Sequence, residues 1–501
     1  MTRLTRNIIY NTAGQTLVLV LSLVAVRFIF HRLGDDVFGI IFFNLVLTAV
    51  LTSILELGIS STVVREVSGH FESEPNYIRD LIRTASLFYW VAGVLIVVAI
   101  WITAPILVNH WVNLKTLDPD TAATTLRILS VVPFVTLPRG LYTAMFRGLQ
   151  MMGLNNVIDV GTAAAQQAVT VAVLLAGGQV FLVAAGISTA NLVGMIAYVV
   201  VAGRLFGWRT LAPSFSRSVV QRNLGFTGRM TAVSVLVLIH LQAAQVILTK
   251  LQPIAVFGLY GFASSLVNRA TIVTGAVAQA AFPSFSSLFR ANDRVELLSQ
   301  YRKLQDLLCY GTVPLFAGVC FAAIPVFTYV LNAQSASVLL IPTAWLSLGT
   351  YMNGAVSIPY MFALAVGRPD IPLKQTLLAL FVVLPATLLL ILKFGLAGAG
   401  FSWVFYQLFN FSYMVPRICR ECLQTPLRDW YAHFARALVW AGATYGTAWI
   451  AIAVPSGYSL FGLAAGFVLA TIAFAAGAIV LIGPDLKGTL RKLPALARTR
   501  A

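Results

Sequence analysis

The chain has 501 residues, 59% of them hydrophobic and only 10% charged, with a formal net charge of +17. Soluble domains are nearer a quarter charged, so this balance excludes a soluble protein. Apolar runs of about 20 residues recur along the whole length, each long enough to cross a hydrocarbon core roughly 30 Å thick. Backbone polar groups cannot stay unpaired in lipid, so the runs are helices and the chain is an all-α polytopic membrane protein.

The hydropathy pattern predicts about fourteen transmembrane helices. The first six lie near residues 7–30, 37–62, 82–108, 123–148, 153–177 and 180–204. Six more lie near 229–251, 255–284, 304–331, 338–366, 372–393 and 396–416, and the last two near 434–454 and 458–482. The first run continues directly into the second and reads as an uncleaved anchor rather than a signal peptide. With a cytoplasmic N-terminus, 26 of the 34 Lys and Arg fall on the cytoplasmic side, against only Arg32, Lys115, Lys250 and Lys393 opposite. This bias places both termini inside. It also accounts for most of the net charge, so no nucleic-acid partner is expected.

Polar residues in the spans follow helical faces. Asn7, Asn11, Gln15 and Ser22 share a face of span 1. Asn44, Thr48, Thr52, Glu56 and Ser60 form an i, i+4 ridge along span 2. Thr227, Thr231, Ser234, Gln242, Gln245 and Thr249 form a stripe on span 7, and Ser264, Asn268 and Thr271 cluster in span 8. A single such residue bonds a neighbouring helix for about 0.6 to 2 kcal/mol; four corresponding stripes read as the lining of a hydrated cavity.

Two cations stand deeper than snorkelling easily allows. Arg139 sits in VVPFVTLPRGLYTAMF, 131–146, with no acid within ten residues, and Arg269 sits mid-span in span 8. Each costs at least about 2.5–3.5 kcal/mol unless it meets water, an anion or a carboxylate. An anionic ligand is the preferred reading for both; a pair such as Glu56 with Arg269 is the structural alternative, Glu56 and Asp159 being the nearest intramembrane acids. Arg27, one turn from the outer end of span 1, divides evenly between ligand and snorkelling roles. His240 reads as a packing residue. Asp35 and Asp36 read as a turn, and Asp118 in DPD as the cap of span 4. Of the four cysteines, the pair in CREC, 419–422, lacks a second pair or nearby histidines, so neither a metal nor a cofactor is expected.

The chain repeats. Residues 6–40 begin RNIIYNTAGQ and end DVFGI; residues 222–259 begin RNLGFTGRMT and end AVFGL. Six spans separate the two starts. Both blocks therefore enter from the same side, as in lobes related by a pseudo-twofold axis along the membrane normal. The expected division is an N-lobe over 1–204, a cytoplasmic linker over 205–228, a C-lobe over 229–418, and two further helices with a basic tail over 419–501.

RLGDDVFGI (32–40) and ELGISSTVVRE (56–66) resemble the opening of the polysaccharide flippase family, which includes the O-antigen (Wzx-type) flippases of the multidrug/oligosaccharidyl-lipid/polysaccharide exporter superfamily. The likeness extends to the span count, the six-plus-six repeat and the two extra C-terminal spans. It implies a non-enzymatic flippase of the bacterial cytoplasmic (inner) membrane. Such a protein moves a polyprenyl-diphosphate-linked oligosaccharide across the bilayer by alternating access, for cell-surface polysaccharide biosynthesis. A diphosphate suits guanidinium groups, so Arg139, Arg269 and Arg27 are its candidate ligands. Asn11, Gln15, Asn44, Thr48, Glu56, Thr231, Gln242, Gln245 and Asn268 are candidates for the sugar and cavity lining. Beyond its lipid-linked substrate and membrane lipid, the chain is expected to be a monomer, with a polysaccharide polymerase and glycosyltransferases as functional neighbours.

Three other readings compete. A peptidoglycan-precursor (lipid II) flippase shares the architecture and the arginine logic. A cation-coupled small-molecule antiporter wants a carboxylate deep in span 1 or 7, and both lack Asp and Glu; that absence also leaves the energy source open. A membrane glycosyltransferase wants external acids in a sizeable loop, and no external loop exceeds about fifteen residues.

Overall fold

The computed structural model describes residues 3–56 and 58–488, with side chains described from residue 16 on except at 57, 229 and 233. It is all-helical: among the described residues the only β pairing is one isolated bridge, Asn113 with Pro253. The chain forms two compact units, Met1–Leu259 and Tyr260–Ala501.

The first unit holds α1 (Arg3–Leu33), α2 (Asp35–Leu55), α3 (Ile59–His70), α4 (Pro75–Ile106) and α5 (Pro119–Leu129). It continues with α6 (Val131–Gly148), α7 (Met152–Leu175), α8 (Val180–Phe206), the single turn α9 (Trp208–Leu211) and α10 (Arg217–Leu251). Helix α1 packs on α7, α4 on α6, α6 on α8, and α7 on α8. Although its sequence opens the second repeat, α10 packs here, against α2, α3 and α4. Helix α11 (Ile254–Arg269) runs across the division between the units.

The second unit holds α12 (Thr271–Arg290), α13 (Arg294–Gly311), α14 (Val313–Val330) and α15 (Ala333–Ala365). It ends with α16 (Asp370–Arg417), α17 (Leu427–Ala441) and α18 (Leu460–Leu481). Helix α15 is central, packing on α12, α13, α14 and α16. Aromatic rings fasten α17 to that core: Phe434 stacks on Tyr351 of α15 at 5.7 Å, and its ring meets Phe411 of α16 edge-on at 4.8 Å. Such pairs contribute about 0.5–1.5 kcal/mol beyond the area they bury.

Among the described residues eleven helical stretches are long and apolar enough to cross a membrane, a different count from fourteen. One departure has a visible cause. The reading near 255–284 as one span meets a break at Ala270, between α11 and α12. The spans near 372–393 and 396–416 are two helices within α16, meeting at Gly395, whose φ of 55° and ψ of −127° are non-helical.

The turn after span 1 does more than the sequence suggested. Asp36, only 2% exposed, accepts hydrogen bonds from the backbone N–H groups of Lys115, Thr116 and Leu117 at 2.8, 2.6 and 3.0 Å. The Thr116 hydroxyl adds a fourth at 3.1 Å. Asp36 therefore anchors the 113–117 loop; it does not merely make a turn. Asp118 caps α5 as expected, its Oδ2 accepting from Thr121 N at 2.9 Å.

Candidate functional site

The polar ridge of span 2 lies on α2, which approaches α10 and the start of α11 closely at two glycines. Gly58 follows the end of α2 with φ 63°, a conformation that favours glycine. A Cβ there would lie 2.7 Å from Met230 Cβ and 2.9 Å from Thr227 O. At the other end, a Cβ on Gly39 would lie 2.2 Å from Ile254 O. Helix α2 thus runs antiparallel to α10, and Thr48 lies at about the level of Gln242, with Asn44 and Gln245 nearer the Gly39 end.

Three oxygens in this stretch lack partners. Asn44 Oδ1, Thr48 Oγ1 and Gln242 Oε1 are buried without any hydrogen bond, and Asn44 is 3% exposed overall. Leaving such a group unmet costs about 1–3 kcal/mol. Three acceptors on two facing helices call for donors from water or from a hydroxyl-bearing guest.

The other sequence candidates fall as follows. Thr231 bonds back to Thr227 O at 2.9 Å. Gln245 is half-buried on α10. Glu56 closes α2, its backbone N–H donating to Thr52 O at 2.8 Å. Asn268 is exposed, its Nδ2 donating to Ser264 Oγ at 3.4 Å, and Arg269, half-buried, ends α11. Arg27 is half-buried on α1. The side chains of Asn11 and Gln15 lie outside the described residues.

Arg139 on α6 meets a carboxylate within its own unit. Its Nη2 pairs with Asp159 Oδ1 on α7. The Tyr198 hydroxyl on α8 donates to the same oxygen at 2.7 Å, and the guanidinium lies 5.4 Å from the Tyr198 ring centroid. The charge of Arg139 thus has an internal counterpart, supplied by the packing of three helices.

A second polar cluster, which sequence reasoning missed, fastens the other end of α10. Glu66 on α3, 4% exposed, accepts from Arg65 Nε at 2.8 Å and from the Tyr77 hydroxyl at 3.1 Å. Asn223 accepts from Arg65 Nη2 at 3.1 Å and donates to the Tyr77 hydroxyl at 2.8 Å. Arg222 grips Glu74 through two bonds of 2.7 and 3.1 Å and lies 3.9 Å over the Tyr77 ring. Thr62 and Thr227 exchange a hydroxyl bond of 2.9 Å. The signal was present: ELGISSTVVRE ends in Arg65 and Glu66, the second repeat opens with Arg222 and Asn223, and the two quoted motifs touch.

Residues 4–289 match the model of a family described as polysaccharide biosynthesis protein. The chain belongs to that family.

Among curated relatives of this polysaccharide biosynthesis chain, the "Putative O-antigen transporter" of Shigella flexneri is 19% identical over 411 residues. That alignment covers 79% of this chain and 93% of the relative. Among solved structures, the lipid II flippase MurJ in an inward-closed conformation matches with a TM-score of 0.72 at 10% identity, covering 94% of this chain and 98% of MurJ. An inward-facing multidrug resistance MATE transporter of the MOP superfamily matches with a TM-score of 0.63 at 16% identity, covering 81% of this chain and 95% of that one. At these identities the structures establish the fold alone, which this chain shares with both.

Proposed function

We propose that the chain is a flippase for a polyprenyl-diphosphate-linked oligosaccharide, working by alternating access in the bacterial inner membrane. The observation that carries this reading is the set of unpartnered buried oxygens on Asn44, Thr48 and Gln242. A polar stripe of acceptors inside an apolar bundle suits sugar hydroxyls, which donate, and lowers the cost of taking them through hydrocarbon. Membership of the polysaccharide biosynthesis family and the likeness to the O-antigen transporter support the same substrate class.

Guanidinium groups serve the diphosphate in this reading. Arg27 and Arg139 in the first unit, and Arg269 at the end of α11, are its candidate ligands. Arg139 enters with its own counter-ion, so binding there exchanges Asp159 for a phosphate oxygen or adds the phosphate to the free edge of the guanidinium. The flip breaks no bond in the substrate, so the mechanism requires polar lining and mobile helices rather than a nucleophile.

The test is deletion in the native host. Loss of surface polysaccharide with build-up of lipid-linked oligosaccharide, while peptidoglycan synthesis continues, is the expected result. Arrested peptidoglycan synthesis would instead identify a lipid II flippase, and intact polysaccharide together with intact peptidoglycan would overturn both.

A further inference from the structure

In the second unit, a cavity of about 800 Å³ opens where α13 and α17 begin and α18 ends. The arginine bias predicts this end to be cytoplasmic. Its floor is polar and underused. Gln305, 4% exposed, donates from Nε2 to Ala355 O at 3.0 Å, which orients the amide and leaves Oε1 buried without a partner. The Tyr301 hydroxyl and Trp430 Nε1, also buried, have no well-aligned hydrogen bond.

The walls are charged but internally matched. Asp306 accepts from Gly483 N at 2.8 Å and faces His433 Nε2 at 3.1 Å. Arg302 Nε donates to Asp485 Oδ2 at 2.8 Å. Exposed Asp429 and Arg436, of opposite sign, complete the rim. Beside them Val480, 73% exposed, and Leu481 form an apolar flank at the end of a membrane-crossing helix.

These features select a ligand class. The floor offers an acceptor, Gln305 Oε1, and two donors, the Tyr301 hydroxyl and the Trp430 N–H, so the guest must both donate and accept. Three aspartates against two arginines give no surplus of positive charge, which disfavours a simple anion. The apolar flank at the helix end favours a guest with acyl chains. We propose that this cavity holds the headgroup of a zwitterionic glycerophospholipid that keeps N–H donors, of the phosphoethanolamine type. Its ammonium donates to Gln305 Oε1 and Asp429. Its phosphate accepts from Trp430 Nε1, Tyr301 and Arg436, and its chains follow Val480 and Leu481. A choline headgroup has no N–H to give, and a glycerol headgroup has no cation.

Native mass spectrometry of the delipidated full-length protein tests this with phosphatidylethanolamine, phosphatidylcholine and phosphatidylglycerol at equal concentration. Phosphatidylethanolamine should be retained several-fold over both others. The Asp429→Asn, Trp430→Phe variant, which removes two contacts to charged groups, should weaken that retention by at least roughly tenfold, the loss expected for one such bond alone. Should that variant misfold, Arg436→Gln on the exposed rim must weaken retention too. Equal retention of the three lipids, a preference for phosphatidylglycerol, or unchanged retention in a folded variant overturns the proposal. So does displacement by equal soluble glycerophosphoethanolamine, which would leave the acyl chains without a role. None of these readouts measures flipping, so failure here leaves the transport reading as it stands.

Discussion

Arg222, in the first turns of α10, holds Glu74, just before α4, through two N–H···O bonds of 2.7 and 3.1 Å. The guanidinium holds the Glu74 carboxyl below its ordinary value, and the carboxylate pushes Arg222 up in return. A carboxyl held low in the folded state stabilises it above the group's ordinary pKa and loses that contribution as pH falls through the lowered value. The melting temperature of the wild type minus that of Glu74→Gln, followed from pH 7 into acid, should therefore shrink toward zero. The gap should be small, because both groups are exposed, and smaller still in high salt. A gap that persists unchanged below the ordinary glutamate range would remove the pair from any account of how α10 is held.

The α2–α10 contact makes a steric prediction. Gly58→Ala places a Cβ at 2.7 Å from Met230 Cβ on a residue with φ 63°. Strain of about 1–3 kcal/mol comes from the backbone alone, and the collision adds to it. Folded yield in detergent should fall sharply. Gly69→Ala, inside α3 with open space around the new methyl, should instead be neutral or stabilising by about 0.5–1 kcal/mol. Equal effects at the two positions would refute the close approach.

The Asp36 anchor predicts a ranked series. Hydrogen bonds to a charged acceptor are each worth about 1.5–3 kcal/mol, and Asp36 receives four. Asp36→Asn keeps one acceptor oxygen and should lose part of this; Asp36→Ala should lose all of it. Limited trypsin cleavage after Lys115 should rise in that order, and the same cleavage rate in all three proteins would contradict the anchoring role.

How far the sequence carried the reading depends on whether a feature is local. The spans are local, because a 20-residue apolar run has no alternative to a helix in lipid. The Asp118 cap is equally local, and sequence and structure agree there. The loop anchor is not: Asp36 meets residues 115–117 through the fold, so the DD pair looked like a simple turn. Glu66 closes the motif ELGISSTVVRE with nothing beside it to mark it as buried; only the docking of α10 buries it. The pairing of Arg139 was hidden for the same reason. Its partner lies twenty residues away on another helix, and no spacing rule joins α6 to α7. The break at Ala270 has no proline or glycine to announce it.

Arg139 and Asp159 supply the decisive experiment on the anion site. A paired cation in a membrane protein has two possible roles, and they separate in a double-mutant cycle. If the pair is structural, removing one partner strands the other, so Arg139→Ala and Asp159→Ala each reduce folded protein. The double variant should then recover much of it. If Arg139 also binds the substrate diphosphate, the double variant should fold and reach the membrane yet make no surface polysaccharide. In that case Asp159→Asn, which frees the guanidinium while keeping a hydrogen-bond acceptor for Tyr198, should retain or raise activity. Arg139→Lys should lose most of it, because an ammonium lacks the planar fork that grips a phosphate. Normal polysaccharide from a well-folded Arg139→Ala, Asp159→Ala protein would confine this pair to packing and move the diphosphate site to other cations.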